Sequence, residues 1–197
     1  GFRGAVQDMV HVTDQKDSIT GIPVVSLYGS TSETLSPSQE ALKNIDILVL
    51  DLQDIGSRYY TYVQTLGLCM EACGKAGVKL LVLDRPNPIN GVDIEGGELQ
   101  IDCHSFCGYA PVANRHGLTV GEMGLLMQTG FGSGIDRIEP INCNLEIVKL
   151  ENWKREMYYD DTGLPWVLPS PNMPTLDTAI VYPGACLFEA TNLSEGR

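Results

Sequence analysis

Basic residues are scarce: 13 Lys and Arg stand against 25 Asp and Glu, a formal net charge of −12. A surface of that sign repels a nucleic-acid backbone or an anionic membrane, so neither is expected as the main partner. An anionic small molecule is still admissible, because one or two local arginines suffice to hold it. Long apolar runs are missing too. The longest, around 45–52 and 78–83, are too short to span a bilayer and suit buried strands, so no membrane insertion is expected. Neither a G-x-G-x-x-G run nor a Walker pattern occurs, which weighs against a nucleotide-dependent transferase and leaves no cofactor expected. There is no internal repeat and no linker that would divide the chain.

The six cysteines lack the paired spacing of a zinc site. Cys69 and Cys73 stand one helical turn apart and read as small apolar residues on a buried helix face. Cys103 and Cys107 flank His104 in a loop, and only a distant His116 is at hand to complete a site with them. A disulfide framework is unexpected in a chain with this much core. Six free thiols and no metal are the expectation.

Apolar residues at 43% and charged residues at 19% are ordinary for a globular domain, and 197 residues can bury a substantial core. The chain opens at Gly1 without Met and closes in a polar stretch at Arg197, which reads as a piece of a longer protein. Residues 22–29 read as a short strand closed by a turn. Ser36 reads as the cap of a brief helix, with Pro37 in its first turn and Gln39 three residues on. Residues 46–52 and 78–83 are near-continuous apolar strands, the pattern of a sheet covered on both faces. Between them, apolar residues at 59, 62, 63, 66, 69, 70 and 73 carry a helical period that Gly77 ends. Further on, Thr119 caps a helix with Glu122 three residues later, 145–150 alternates like a strand, and Pro183 is expected to stop a short helix from Thr175. Strand, helix, strand, helix, strand in this order predicts an α/β fold: a Rossmann-like parallel sheet with helices on both faces, incomplete at both ends.

In such sheets ligands bind beyond the carboxyl ends of the strands. Polar clusters fall there: Asp51 to Tyr60, Asp84 to Gly91, and Gly29-Ser30. For one such segment, turn chemistry is the commoner explanation, since Asn90-Gly91 is a turn dipeptide and Pro86 and Pro88 stiffen a loop. Two side by side, each joining carboxylates to an arginine, shift the balance toward a site. His116 before a helix is more often a packed residue than a ligand. Asn, Asp, Glu and Arg, together with Tyr59, Tyr60, Tyr62, Trp153 and Trp166, nevertheless form the inventory of a sugar site: planar polar groups for hydroxyls and aromatic faces for a ring.

Several stretches match one family together. These are Gly-Phe-Arg-Gly at 1–4, Leu-Gln-Asp-Ile-Gly-Ser-Arg-Tyr-Tyr-Thr-Tyr at 52–62 and Asp-Arg-Pro-Asn-Pro-Ile-Asn-Gly at 84–91. Arg-His-Gly-Leu-Thr-Val-Gly-Glu at 115–122, Pro-Ser-Pro-Asn-Met-Pro-Thr-Leu-Asp-Thr at 169–178 and Thr-Asn-Leu-Ser-Glu-Gly-Arg at 191–197 complete the set. From first residue to last the chain resembles the NamZ-type exo-β-N-acetylmuramidases, formerly a domain of unknown function. The resemblance implies a bacterial hydrolase that removes N-acetylmuramic acid from the non-reducing end of peptidoglycan fragments in cell-wall turnover. A saccharide or muropeptide is then the partner, and the cell-wall substrate suggests an extracellular or periplasmic location.

It also implies that residues 1–197 are part of a Rossmann-like catalytic domain, with an auxiliary C-terminal domain beyond residue 197 and the active site in the cleft between them. Family members carry a Glu-His pair just before the Gly-Phe-Arg-Gly motif, and that Glu is the implied leading acid, so this chain alone is expected to be inactive. A second carboxylate is sought among Asp51, Asp54, Glu95 and Glu195, with Glu95 and Asp54 preferred as the catalytic candidates. The N-acetyl group of the substrate acting as internal nucleophile is the alternative. Substrate binding is expected at Arg58, Tyr60, Asp84, Arg85, Asn87, Asn90, His116, Asn172, Asn192 and Glu195, with Arg58 or Arg85 reading the lactyl carboxylate. A non-catalytic carbohydrate-binding protein on the same scaffold is the other reading.

Chelators should leave both the fold and any turnover of the full-length protein unchanged. Stoichiometric zinc, lost together with activity, would refute this.

Overall fold

The computed structural model describes residues 14–27, 35–130, 132 and 139–193. The Gly1–Gly4 motif, the expected strand end at Tyr28–Ser30 and Glu195 lie outside them. Two short strands, β1 (Gln15–Lys16) and β2 (Pro23–Val24), pair antiparallel as a separate ribbon, so the first expected strand does not enter the parallel sheet. Of the expected 22–29, residues 22–27 are described and only Pro23–Val24 are strand, too short a run to extend the parallel sheet. The brief helix α1 (Gln39–Leu42) is capped by Ser38, whose hydroxyl accepts from the Ala41 amide. Ser36, the expected cap, instead donates to the Leu68 carbonyl at 3.3 Å. A cap needs extended backbone directly before the first helical residue, and Ser38 at φ −69°, ψ 154° supplies it.

From here the expected alternation holds. Strand β3 (Ile47–Leu50), helix α2 (Tyr62–Ala76) and strand β4 (Lys79–Leu83) form a parallel crossover unit, with Ile47 opposite Lys79 and Leu50 opposite Val82. Along α2 the apolar period places Val63, Leu66, Cys69, Met70 and Cys73 in the interior. Gly77 closes the helix at φ +71°, its N–H on the Cys73 carbonyl, as a glycine can without strain. Helix α3 (Val120–Thr129) starts on a complete capping box: Thr119 Oγ1 accepts from the Glu122 amide, and Glu122 accepts from the Thr119 amide. Strand β5 (Leu145–Val148) joins β4 in parallel on its free side, giving the order β3-β4-β5.

Period two along the strands sends Leu48, Leu50, Leu80, Val82, Leu145 and Ile147 to one face, where they meet α2 and α3 in the main core. On the other face Ile47, Val49 and Val148 are each about half exposed among the described residues. A smaller second core gathers Ile55, Ile89, Met173 and Ala179 with Tyr60, Trp166 and Tyr182 packed against it. It brings the loops after β3 and β4 together with the Pro-rich segment and with α4 (Leu176–Ala185). Pro183 does not stop α4, which runs two residues further and passes into a 3-10 turn at Cys186–Ala190. A proline in a last turn forfeits a single helical hydrogen bond, a loss that packing near the helix end absorbs. No described helix is long and apolar enough to cross a membrane.

One glycine of α2 tests how closely helix and loop approach. A Cβ on Gly74 would fall inside the van der Waals envelope of the Asn142 main-chain oxygen, which cannot swing away like a side chain. Gly→Ala in a helix ordinarily gains about 1 kcal/mol, whereas overpacking costs about 1–3 kcal/mol. Gly74→Ala should therefore lower the denaturant midpoint, with the m-value unchanged; a raised midpoint would show that the 139–143 segment yields freely.

Candidate active site

β3 and β4 end side by side, and their loops carry most of the polar motif residues. The loops are knitted by side chains bonding to main chain. Asp84, at the end of β4, accepts from the Gly121 amide at 2.8 Å, the Thr119 hydroxyl at 3.0 Å and the Arg85 amide at 3.0 Å, so it ties the strand to the first turn of α3. Burial raises the pKa of its carboxyl, and these three hydrogen bonds only partly offset that. Asn87 donates to the Leu118 carbonyl at 3.0 Å and accepts from the Ile89 amide at 3.1 Å. Asn90, held at φ +65°, accepts from the amides of Val92 and Asp93 and donates to the Asp93 carboxylate. Asn87 and Asn90 are buried with both ends of their amides engaged.

A second knot lies beside the first. Arg115 forms isolated bridges with Ser57 on one side and Glu95 on the other, so the 114–116 segment runs between the other two. The Arg115 guanidinium bonds Glu95 at 2.8 Å, Asp93 at 3.1 Å and the Ile89 carbonyl. Burial works against its charge, but Glu95, Tyr158 and Asp93 outweigh burial and hold it more firmly protonated than usual. Glu95 is thus exposed and already paired. Arg58 is buried, its Nη1 donating to the carbonyls of Val112 and Gly97, with the guanidinium 5.7 Å from the Tyr59 ring centroid.

The buried pair is Asp54 and His116. His116 Nε2 lies 3.6 Å from Asp54 Oδ2, with the side chains 1% and 6% exposed. Asp54 Oδ2 also accepts from the Gly56 amide at 2.8 Å, and His116 Nδ1 accepts from the Leu118 amide at 3.1 Å. Asp54 Oδ1 and His116 Nε2 have no hydrogen-bond partner among the described residues. Gly56 is required here, because at φ +80° a Cβ would run into the Asn87 carboxamide and lie 2.8 Å from Ile89. Tyr60 packs edge-on against Tyr62 and Tyr182, with ring centroids at 5.1 and 5.8 Å. Burial raises its hydroxyl pKa, and the Asp54 charge adds to that rise.

Arg85 is arranged differently. Its Nε and Nη2 both reach Asp51 Oδ1 at 2.6 Å, and the pair is about two-fifths exposed. The other described arginines, Arg58, Arg115 and Arg155, all bond main-chain carbonyls.

Residues 1–177 match the family described as Exo-beta-N-acetylmuramidase NamZ, N-terminal. The chain belongs to this family. It is 47% identical over all 197 residues to the peptidoglycan beta-N-acetylmuramidase NamZ of Bacillus subtilis (strain 168), spanning 45% of that protein. Crystal structures of two DUF1343 family proteins from Bacteroides fragilis NCTC 9343 share the fold. One superposes with a TM-score of 0.80 at 41% identity, over 88% of this chain and 43% of its own. The other gives 0.75 at 35%, over 92% and 47%. The chain therefore spans less than half the length of these relatives.

Within this NamZ-family chain, Asp54, Tyr60, Asn87 and His116 gather around Gly56, whereas Glu95 sits with Arg115 and Arg85 with Asp51. Asn172 and Asn192 are exposed on the C-terminal segment. Ser170, near the Tyr60 hydroxyl, and the Asp93–Arg115–Tyr158 cluster were not among the sequence candidates. The acidic stretch Asp93-Ile94-Glu95 is the sequence signal that could have pointed to that cluster. Trp166 serves packing, with its indole N–H on the Met173 carbonyl. A groove of about 570 Å³ lies elsewhere, by the last turns of α2, lined by Glu71, Lys75, His104 and Tyr109. In it His104 Nε2 meets the Tyr109 carbonyl at 3.0 Å. Cys103 and Cys107 are exposed, and no group of three potential metal ligands exists among the described residues. Burial pushes the Cys69 thiol up to about 12 and the Cys73 thiol to about 11.

Asp84 carries a pH signature. A carboxyl whose folded pKa is raised binds its proton more tightly folded than unfolded, so its contribution to stability is full below the unfolded value of about 3.9. That contribution falls as pH rises through the folded value. Thermal melts of wild type and Asp84→Asn between about pH 3 and 7 should therefore show wild type's margin shrinking with rising pH. A margin that grows would mean that the three hydrogen bonds outweigh burial.

Proposed function

We propose that this chain is the main part of the catalytic domain of an exo-β-N-acetylmuramidase, a glycosidase releasing N-acetylmuramic acid from the non-reducing end of peptidoglycan fragments. The observation that carries the reading is a buried carboxylate, Asp54, with one oxygen free among the described residues. It sits at the carboxyl ends of a parallel sheet in a chain 47% identical to a peptidoglycan beta-N-acetylmuramidase. An auxiliary domain beyond residue 197 belongs to the same proposal, supported by a family description that is N-terminal and by relatives about twice as long.

Glycoside hydrolysis needs a group to protonate the leaving oxygen and a second to attack or stabilise the anomeric carbon. Asp54 suits one of these roles better than Glu95, because Glu95 is exposed and its charge is taken by Arg115. Arg85 suits the lactyl carboxylate better than Arg58. Its guanidinium faces solvent and holds only a carboxylate, whereas Arg58 is committed to two carbonyls. Asp84, Asn87 and Asn90 then act on the sugar through the loop that they hold rigid, which lowers the ordering cost of binding.

The test uses the full-length protein and a chromogenic N-acetylmuraminide. Asp54→Asn should lose a factor of about 10²–10⁴ in kcat, the usual span for a positioned acid or base, while Glu95→Gln stays within about tenfold of wild type. Arg85→Ala should cost about 1.5–3 kcal/mol in kcat/KM, and only for the muraminide, sparing any weak action on an N-acetylglucosaminide. Loss on Glu95→Gln with Asp54→Asn intact would exchange the two carboxylates. Binding with no product release at all would make the protein a carbohydrate-binding module.

A further inference from the structure

Among the described residues, Asp54 Oδ1 and His116 Nε2 are buried polar atoms without partners, and they belong to facing side chains. A buried donor and acceptor left so cost free energy that a purely structural pair would recover by closing to a hydrogen bond. At 3.6 Å the pair has not closed. Both residues are fixed from the other side, and this is what sets the gap. The Gly56 amide holds Asp54 Oδ2, and the Leu118 amide holds His116 Nδ1.

The second of these bonds also fixes a proton. A main-chain N–H only donates, so Nδ1 must accept and carry no hydrogen. A proton there would point at the Leu118 N–H, so the geometry selects the neutral ring with its hydrogen on Nε2. That hydrogen faces the Asp54 carboxylate. Leu118 is itself anchored, since its carbonyl takes the Asn87 amide and its neighbour Thr119 is bonded to Asp84. The histidine thus hangs from the same knot that ends β4.

We infer that His116 is a positioning residue for Asp54: its Nε2–H, locked by the Leu118 amide, and the Gly56 amide together confine Oδ2 and leave the unpaired Oδ1 as the oxygen that takes part in the reaction. This rests on the reading of Asp54 as a reacting carboxylate. Long catalytic hydrogen bonds in a ligand-free site commonly tighten in the substrate complex, and 3.6 Å lies within that behaviour.

Four measurements on the full-length protein test it. Nitrogen-15 NMR of the imidazole should report the Nε2–H tautomer for His116; an Nδ1–H tautomer overturns the inference whatever Asp54 does. His116→Phe should lower kcat by on the order of 100-fold, the scale of a roughly 1 Å misplacement, with KM little changed. His116→Gln, which keeps an N–H donor, should recover most of that loss. Equal losses in Phe and Gln would mark a packing role and overturn the inference, as would a wild-type kcat in Phe. If the Phe variant does not fold, the tautomer and the Gln variant still decide. Asp54→Asn separates the two readings. If it lowers kcat by the expected factor of about 10²–10⁴, His116→Phe added to it should lower the residual kcat no further, since residues acting as a unit are not additive; an additional loss overturns the inference. If Asp54→Asn keeps a kcat near wild type, the reading of Asp54 itself has failed, and the positioning role falls with it.

Discussion

Everything at the working edge of this protein hangs on one carboxylate at the end of one strand. Asp84 receives the first-turn groups of α3 and the amide of its own neighbour. A negative charge at a helix N-terminus meets unsatisfied N–H groups and the positive end of the helix dipole. The arrangement welds β4 to α3, and the segment just before α3 is the one that carries Arg115 and His116. Close packing enforces the weld, because a Cβ on Gly121 would lie 2.8 Å from the Asp84 carboxyl carbon. Once β4 and α3 are locked, the 84–91 loop has little freedom left, and Asn87 removes more of it by gripping Leu118.

Two cores then hold the knot from either side. Beneath it lies the larger, between the sheet, α2 and α3. Above it the Ile55, Ile89, Met173 and Ala179 cluster draws the Pro-rich segment and α4 across the loops, with Tyr62 bonded to the Pro169 carbonyl at 2.8 Å. A loop packed on both sides has to satisfy its own main chain, since buried N–H and C=O groups are almost always paired. That demand explains why a motif so rich in carboxamides presents so few of them outward. Most of its polar atoms are consumed internally. Asp54 Oδ1, His116 Nε2, Gln53 Oε1 and the Tyr60 hydroxyl are buried without a partner among the described residues, and the Arg85 guanidinium reaches only an exposed carboxylate.

The sequence made the frame legible wherever a local rule acted alone. The period of α2, its glycine stop, the Thr119 capping box and the parallel pairing of the two apolar strands all follow from patterns a few residues long. It misled where tertiary packing chose between local options. Ser38 rather than Ser36 took the cap, residues 23–24 went to a ribbon, and Pro183 was carried inside α4. Among the candidate site residues, type and neighbourhood were readable but direction was not. Asn87, Asn90 and Arg58 are as polar as a binding residue and are spent on main chain. The pairing of Asp54 with His116, 62 positions apart, leaves no local signature at all.

Partnership separates Arg85 from the other described arginines. Arg58, Arg85, Arg115 and Arg155 all stand on the loops at this edge, in a protein of net charge −12. Releasing Arg115 would strand the carbonyl of the buried Ile89, at about 1–3 kcal/mol for a group left unsatisfied, and releasing Arg58 would free the carbonyls of Val112 and Gly97. The Arg85–Asp51 pair is exposed, and pairs of that kind contribute about 0–1 kcal/mol. A carboxylate bound there, as proposed, would displace or share Asp51 at small cost and gain a planar fork. Asp51 meanwhile engages two nitrogens of that guanidinium. Weak partnership is what makes Arg85 usable, and strong partnership is what makes the other three structural.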